Sequence, residues 1–498
     1  MQNPLFVPAA AALLVALTAL AGGATAAESR PGLKPCRLKG VEHDALCGVL
    51  SRPLNPAEPT GRRVDIHYAV LPALARNRKP DPVFFFAGGP GQSAQDVGGS
   101  VARMLARLGY RRDLVLIDQR GTGKSAPLLC DEPPAAAPLA DATDPARQEA
   151  LMQACRNKLQ VLPHGDLRQF TTTIAMHDAD AVRQALGAEQ INIVGGSYGT
   201  RAVLEYQRLF PRAVRRAVID GVAPPDMVLP AAMSTDNQAA MDALLASCQA
   251  DTACAQRYPR LADDWRALLA RLPVQTRVQH PLTGAQESLT VTREFALSLV
   301  RLPLYVPALA SALPLAVSEA AQGRFEALVG LGASMGSRAT GRMAGGMHFS
   351  VVCAEDLPRL AQVTDLPGRD FGTAASALYQ RVCAQWPRGE VPAAFYKLPA
   401  APAATLVLSG GADPVTPPRH GERVTQALGA KARHVVVPQA GHGVMGLPCM
   451  RDVLFRFIDA ASDDHALRVD ADCAAGIPRP APFVPPGLAA SAVAGAAR

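Results

Sequence analysis

Short, unbroken runs of apolar residues recur along the chain, and a small or polar turn follows each run. The runs occupy residues 83–86, 114–117, 191–194, 218–219, 406–408 and 434–437. Uninterrupted strands of this kind are typical of a sheet that is covered on both faces. Segments with helical spacing, such as residues 177–186 and 198–209, lie between them. The alternation predicts an α/β fold with a mostly parallel central sheet.

The strand pattern stops near Val222 and resumes near Thr405. Ala/Leu-rich segments with helical character and a Gly-rich stretch fill the interval. We therefore interpret residues 226–398 as a mainly helical cap, inserted between two parts of one core at residues 27–225 and 399–476. Residues 477–498 are rich in Pro and Ala and are interpreted as an irregular tail.

The N-terminus indicates export. Residues 9–20 are apolar, and the small residues Ala24-Thr25-Ala26 follow them, which predicts a cleaved signal peptide over residues 1–26. No later apolar run reaches the roughly 18 residues that a membrane-spanning helix needs, so no stable membrane anchor is expected. A periplasmic or extracellular location is therefore predicted.

Ten cysteines fit an oxidising compartment. They fall into neighbouring pairs, and we take neighbour pairing as a hypothesis because sequence alone cannot fix connectivity. The pairs are Cys36 with Cys47, Cys130 with Cys155, Cys248 with Cys254, Cys353 with Cys383 and Cys449 with Cys473. Neither Cys-x₂-Cys nor His-Glu-x-x-His occurs, so no metal site is predicted. The net charge of +7 is spread without a basic run, so no nucleic-acid partner is expected.

The sharpest chemical motif is Gly195-Gly196-Ser197-Tyr198-Gly199, which matches G-x-S-x-G. It follows a predicted strand and opens a predicted helix, which is the context of a nucleophile elbow. Small neighbours let the chain turn sharply, so that the serine oxygen stands clear of the backbone. Ser197 is therefore the candidate nucleophile.

A serine nucleophile needs a base, and the base needs an acid to orient it. His442 lies in a small-residue turn after the last predicted strand, and Asp413 follows the strand before it. The order Ser197, Asp413, His442 is that of the α/β-hydrolases. Asp220, which follows another strand, is the rival acid.

Two backbone N–H groups are expected to hold the oxyanion of the reaction. One is that of Tyr198, the residue after the nucleophile. The other lies in the loop Gly88-Gly89-Pro90-Gly91, where Pro90 has no N–H. We assign it to Gly89, with Gly88 as the alternative.

Several motifs together resemble the prolyl and tripeptidyl aminopeptidase group of α/β-hydrolase serine peptidases, over roughly residues 36–485. They are Gly88-Gly89-Pro90-Gly91, Asp118-Gln119-Arg120-Gly121, the serine motif, Phe210-Pro211, Val218-Ile219-Asp220-Gly221, Gly411-Ala412-Asp413-Pro414-Val415-Thr416-Pro417 and Gly441-His442-Gly443. We expect the second of these motifs to brace neighbouring loops through an ion pair. Ala87 stands where prolyl aminopeptidases usually carry His, which argues against strict prolyl specificity.

The resemblance implies an exopeptidase that acts on a peptide with a free N-terminus and requires no cofactor. Binding the substrate ammonium calls for a carboxylate near the cap, and Glu205, Glu355 and Asp356 are the candidates. A secreted carboxylesterase with the same triad is the alternative, because ester and amide hydrolysis use the same residues. A catalytically silent binding protein on this fold is the third possibility. The oligomeric state is left open.

Overall fold

The structure is a computed structural model that describes residues 32–336, 342–400 and 402–485. The predicted signal peptide and residues 486–498 of the predicted tail lie outside these ranges. The strands are β1 Lys34–Cys36, β2 Ala45–Pro53, β3 Arg63–Leu71, β4 Val83–Phe86, β5 Leu114–Ile117, β6 Ile191–Gly196, β7 Val214–Asp220, β8 Val274–Gln279, β9 Gln286–Val291, β10 Ala404–Gly410 and β11 Ala432–Val437.

The α-helices alternate with the strands in the first and last parts of the chain and dominate its middle. They are α1 Gly98–Met104, α2 Ala106–Gly109, α3 Leu139–Thr143, α4 Pro145–Gln160, α5 Thr172–Ala185, α6 Tyr198–Leu209, α7 Leu229–Ala250, α8 Thr252–Arg257, α9 Leu261–Arg271, α10 Arg293–Leu304, α11 Pro307–Ala310, α12 Leu313–Ala321, α13 Glu326–Gly336, α14 Gly345–Glu355, α15 Ala374–Gln385, α16 Pro418–Leu428, α17 Pro448–Asp459 and α18 Asp463–Leu467. Short 3₁₀ turns cover Leu167–Gln169, Pro211–Ala213, Leu357–Gln362, Ala393–Tyr396, Gly429–Lys431 and Asp472–Ala474.

Nine of the described strands form one sheet in the order β1-β2-β3-β5-β4-β6-β7-β10-β11. The pairs from β5 through β11 are parallel, and the pairs among β1, β2, β3 and β5 are antiparallel. Every apolar run identified in the sequence lies in the parallel part. The prediction of an α/β fold with a mostly parallel sheet is confirmed.

Apolar side chains fill both faces of this sheet, as the unbroken runs require. In β4, Phe84 and Phe86 belong to a core cluster with α5 and α6. Val83 and Phe85 point to the other face and pack in a cluster with α1 and α17. The alternation along one strand therefore joins two cores across a single sheet.

Between β7 and β10 the chain forms α7 to α15 and the β8–β9 hairpin. Much of this insertion packs around its own cluster, which includes the fully buried Trp265. Helices α14 and α15 differ, because Met347, Val351 and Val382 belong to the cluster beneath the main sheet. The insertion is thus anchored to the core through these two helices. Its extent of 226–398 as a separate cap remains our interpretation.

The ten cysteines form five disulfides between sequence neighbours: Cys36–Cys47, Cys130–Cys155, Cys248–Cys254, Cys353–Cys383 and Cys449–Cys473. Two of them, Cys248–Cys254 and Cys353–Cys383, lie within the insertion. Cys353–Cys383 ties α14 to α15, the two helices that reach the main core.

The loop after β5 is held by a buried ion pair. The Arg120 guanidinium donates two hydrogen bonds to Asp178 on α5, at 2.7 and 3.0 Å, and both side chains are almost fully buried. Its remaining N–H groups donate to backbone carbonyls that include Leu54 and Gln169. Asp118 instead accepts a hydrogen bond from Ser93 at 2.6 Å. The expected brace therefore forms through Arg120 and a distant partner.

We expect Asp178→Ala to lower the free energy of unfolding by about 3–5 kcal/mol, because it leaves the Arg120 charge buried without a partner. Urea unfolding followed by circular dichroism measures the change. Asp263→Ala is the matched control: it removes a fully solvated pair with Arg266 on α9 and should cost at most about 1 kcal/mol. Equal losses for the two variants would contradict this account.

Candidate active site

The turn between β6 and α6 has the geometry of a nucleophile elbow. Ser197 adopts φ = 56°, in the region that non-glycine residues rarely occupy. Its N–H donates to the Asp220 carbonyl at 2.8 Å, which fixes the turn to β7. A Cβ at Gly199 would lie 2.1 Å from the Phe86 oxygen, and one at Gly195 would lie 2.3 Å from the Gly199 oxygen. The glycines of the motif are thus required by close backbone packing.

Asp413 and His442 follow the adjacent strands β10 and β11, and the structure brings them together. His442 Nδ1 lies 2.8 Å from Asp413 Oδ2. The other oxygen, Oδ1, accepts the N–H groups of Val415 and Thr416, each at 2.9 Å. Burial acts to raise the pKa of Asp413, but the charge and hydrogen bond of His442 and the backbone donors outweigh it and lower that pKa. The carboxylate is therefore held ionised beside the imidazole.

The structure adds Thr416 to this pair, a residue that the sequence reasoning did not single out. Its hydroxyl donates to Asp413 Oδ2 at 2.8 Å and lies 3.1 Å from His442 Nδ1. The available signal was local: a Thr three residues after an Asp is placed for a side-chain hydrogen bond across a turn. Thr416 fixes the carboxylate oxygen that faces the ring.

The imidazole of His442 is enclosed on its other side by the insertion. The Tyr305 ring packs edge-on against it, with ring centres 5.2 Å apart. The backbone carbonyl of Tyr305 also accepts a hydrogen bond from the backbone N–H of His442 at 3.0 Å. Burial acts to lower the pKa of His442, but the negative charge and hydrogen bond of Asp413 outweigh it, so that pKa is raised. The Asp220 charge adds to the same effect.

Asp220, the rival acid, occupies a different place. Its Oδ2 accepts the N–H groups of Val444 and Met445, each at 2.7 Å, just after His442 in the chain. Complete burial raises its pKa to about 6. The structure therefore places Asp413 against the His442 ring and Asp220 against the backbone of the histidine loop.

Gly89 and Tyr198, the expected oxyanion donors, both line a cavity with Ser197. The Gly88 N–H is directed to the Gln92 side chain at 3.3 Å. Within the described ranges, neither the Gly89 nor the Tyr198 N–H has an acceptor. The arrangement favours Gly89 over Gly88 as the second donor.

The three candidate carboxylates differ in their position relative to the cavity. Asp356 lines the cavity and accepts a hydrogen bond from Arg201 at 2.7 Å. Glu355 lies behind it, bonded to Thr172 and Arg201, and burial raises its pKa to about 7. Glu205 is bonded to Arg208 and Thr173 and does not line the cavity. Of the three carboxylates, Asp356 is thus the one that lines the cavity.

The cavity measures about 140 Å³ and lies between the sheet and the insertion. Ser197, Gly89 and Thr416 come from the core. The insertion supplies most of the remaining wall, with Leu229, Met233, Arg301, Tyr305, His348, Asp356 and Tyr379. His348 is positioned between the Pro90 carbonyl and the Tyr379 hydroxyl, and burial lowers its pKa to about 4. A neutral imidazole therefore supports the Gly89 loop from the side of the insertion.

Comparison with known families agrees with this architecture. The family model described as the alpha/beta hydrolase fold matches residues 81–446. The chain therefore belongs to the alpha/beta hydrolase family.

Among curated relatives, the tripeptidyl aminopeptidase of Streptomyces lividans is 31% identical over 195 residues, which are 36% of this chain and 35% of that protein. The serine protease Hip1 of Mycobacterium tuberculosis (strain H37Rv) is 29% identical over 245 residues, 44% of this chain and 45% of that protein. The matched part is thus less than half the length of these relatives. The resemblance to an aminopeptidase-like group of alpha/beta hydrolases is confirmed.

Solved structures show more distant likeness. A proline iminopeptidase of Mycobacterium smegmatis is 16% identical with a TM-score of 0.35, covering 85% of this chain and all of that one. The enzyme MGS-M2 from a deep-sea metagenome library is also 16% identical with a TM-score of 0.35, covering 79% and 93%.

We expect Asp413→Asn to lower the pKa of His442 below the ordinary value of about 6.5, because burial, the largest effect, is then opposed only by the smaller effect of the Asp220 charge. The change is read from the ring resonances of ¹³C-labelled histidine across a pH series, with His442→Gln providing the assignment. The other histidines report whether the fold is kept. A His442 pKa that stays above the ordinary value would contradict the assigned electrostatics.

Proposed function

We propose that this chain is a secreted serine exopeptidase that hydrolyses peptide bonds near a free N-terminus. The observation that carries the proposal is the His442–Asp413 pair, 2.8 Å apart, at the strand ends beside the elbow that presents Ser197 to the cavity. Relatives named tripeptidyl aminopeptidase and serine protease support peptide hydrolysis as the reaction.

In this mechanism Ser197 Oγ attacks the scissile carbonyl while His442 takes its proton. Asp413 orients the ring through Nδ1 and stabilises its charged form. The N–H groups of Gly89 and Tyr198 hold the oxyanion. His442 then gives the proton to the leaving nitrogen as the C–N bond breaks. Water attacks the acyl-enzyme by the reverse path, releasing the acid and restoring the Ser197 hydroxyl.

Asp356 supports the requirement for a free N-terminus. It is the cavity carboxylate, and its one ion-pair partner among the described residues is Arg201. A carboxylate oxygen accepts more than one hydrogen bond, so Asp356 retains capacity for a substrate ammonium group. The helices of the insertion that roof the cavity would favour short or terminal segments over the middle of a chain.

A periplasmic or extracellular location is part of the proposal. The predicted signal peptide and the five disulfides support it, because disulfides persist in oxidising compartments. In the described parts of the chain, no helix combines the length and apolar character needed to cross a bilayer.

A series of peptide anilides tests the reaction. Pro-, Ala- and Ala-Ala-Pro-anilides are each offered with a free and a blocked amine, and release of the aniline is followed by absorbance. We expect cleavage of free-amine substrates and a loss of about 10⁴-fold or more in Ser197→Ala, because one missing triad member disables the unit. The preferred acyl group distinguishes release of one residue from release of three.

Cleavage that ignores blocking of the amine would contradict exopeptidase action. Anilides that remain intact, with a phosphonate still labelling Ser197, would favour the carboxylesterase alternative. Absence of labelling as well would favour a silent binding protein.

For Asp356→Asn we expect kcat/KM on the best free-amine anilide to fall about tenfold, because the lost charge weakens a charge-assisted hydrogen bond by roughly 1.4 kcal/mol. The preference for free over blocked amine should fall with it. Glu205→Gln serves as the matched control, since that carboxylate is paired with Arg208 outside the cavity. An unchanged preference in Asp356→Asn would remove this residue from ammonium binding.

A further inference from the structure

The cavity contains a cationic side chain that forms no ion pair with a carboxylate in the described part of the chain. Arg301, near the end of α10, is half-buried and lines the cavity with Ser197. Among the described residues its guanidinium has no ion-pair partner, and its hydrogen bond is with the uncharged Tyr305 side chain. The other arginine of the wall, Arg201, is paired with both Asp356 and Glu355. The cavity thus has one compensated and one uncompensated guanidinium.

Arg301 lies near Tyr305, the residue of the cavity wall that packs on His442. It precedes Tyr305 by four residues, about one helical turn, and the Tyr305 ring contacts the His442 ring at 5.2 Å. Burial raises the pKa of Tyr305, and the charge and hydrogen bond of Arg301 oppose that rise. The guanidinium is therefore within electrostatic reach of the group that packs on the imidazole.

Asp356 is the carboxylate in the cavity wall. It is paired with Arg201, which lies four residues after Ser197 on α6, the helix that the nucleophile opens. Tyr379 lines the same cavity and is influenced by both charges: burial raises its pKa, the Arg301 charge lowers it and the Asp356 charge raises it. A bound substrate would therefore meet a carboxylate on the nucleophile-helix side and a guanidinium on the histidine side.

The reaction mechanism indicates which part of a substrate would lie near Arg301 and which near Asp356. The general acid must reach the leaving nitrogen, so the leaving group lies next to the imidazole. A half-buried guanidinium beside that position offers a planar fork of donors that matches a carboxylate. We propose that Arg301 binds a carboxylate carried by the leaving group, so that the preferred substrates are short peptides whose departing residue carries a free carboxylate.

The inference rests on the proposed peptidase function and gives it a substrate class. Two sources supply the same chemistry: the C-terminal carboxylate of a departing amino acid, or the side chain of a departing Asp or Glu. Because the two differ only in which carboxylate is free, matched substrates distinguish them.

The test fixes the acyl part as the best one in the anilide series and joins it to Ala, Ala-amide or Asp-amide. Product amines are measured by mass spectrometry with the purified wild-type enzyme. We expect kcat/KM for the Ala acid to exceed that for Ala-amide by about tenfold or more, the range of one charge-assisted hydrogen bond. If kcat/KM for the Asp-amide substrate equals that for the Ala acid, an acidic side chain is a second source of the carboxylate. If kcat/KM for the Asp-amide substrate equals that for Ala-amide, the C-terminal carboxylate is the source.

Substitution at Arg301 tests the residue itself. In Arg301→Gln the acid-to-amide ratio should fall close to one, and Arg301→Lys should keep part of it because the charge remains. Arg277→Gln is the matched control: that arginine is exposed on β8, away from the cavity, and its ratio should equal that of the wild type. Phosphonate labelling of Ser197 shows that each variant retains a formed site.

Equal rates for the acid and both amides in the wild type would overturn the inference. So would a ratio that survives in Arg301→Gln. Both outcomes retain Ser197-dependent cleavage, and they leave the proposed function intact. Absence of Ser197-dependent cleavage of every amide would instead overturn the proposed function, and this inference with it.

Discussion

The strained turn at Ser197 is the constraint on which the site depends. A serine at φ = 56° costs of order 1–3 kcal/mol, so the surroundings must hold it there. The register does so: β6 lies between β4 and β7, with Gly195 beside Phe86 and Gly196 beside Asp220. The glycines pack closely against neighbouring backbone, and the Ser197 N–H donates a hydrogen bond to the Asp220 carbonyl at 2.8 Å. Together these contacts hold the backbone in this conformation. Strain in the turn is offset by packing in the sheet.

The same register accounts for how distant residues converge. Parallel strands bring their carboxyl ends to one edge, so Gly410 on β10 lies beside Val437 on β11. Asp413 and His442 each follow within a few residues and meet there. Asp220 connects the Ser197 turn with the loop that contains His442. Its carbonyl accepts the Ser197 N–H, and its carboxylate accepts the backbone N–H groups of Val444 and Met445. One buried residue thus ties the nucleophile turn to the histidine loop.

What the sequence reveals is what depends on local pattern. Apolar runs identify buried strands, and glycines around Ser197 identify the elbow, because each follows from backbone geometry within a few residues. The pairing of Arg120 with Asp178 and the packing of Tyr305 on His442 do not follow from local pattern. Asp178 is 58 residues from Arg120, and Tyr305 lies in the insertion, so only tertiary packing brings them into contact. For the same reason, Asp356 could be separated from Glu205 only once the chain was folded.

The sheet and the insertion therefore control different properties of the site. The sheet register sets the strand ends that Ser197, Asp413 and His442 follow, and the insertion adds the Tyr305 carbonyl that accepts the backbone N–H of His442. The insertion supplies Asp356 and Arg301 to the cavity wall. Arg201, on helix α6 of the core, links the core to the insertion because it pairs with Glu355 at the end of α14 and with Asp356, the next residue. Because Glu355 is buried, its pKa is raised to about 7 and the Arg201 charge is only partly balanced by it at neutral pH. Substitution of charged residues of the insertion away from Tyr305 can thus alter the charge met by a substrate without moving the atoms proposed to react.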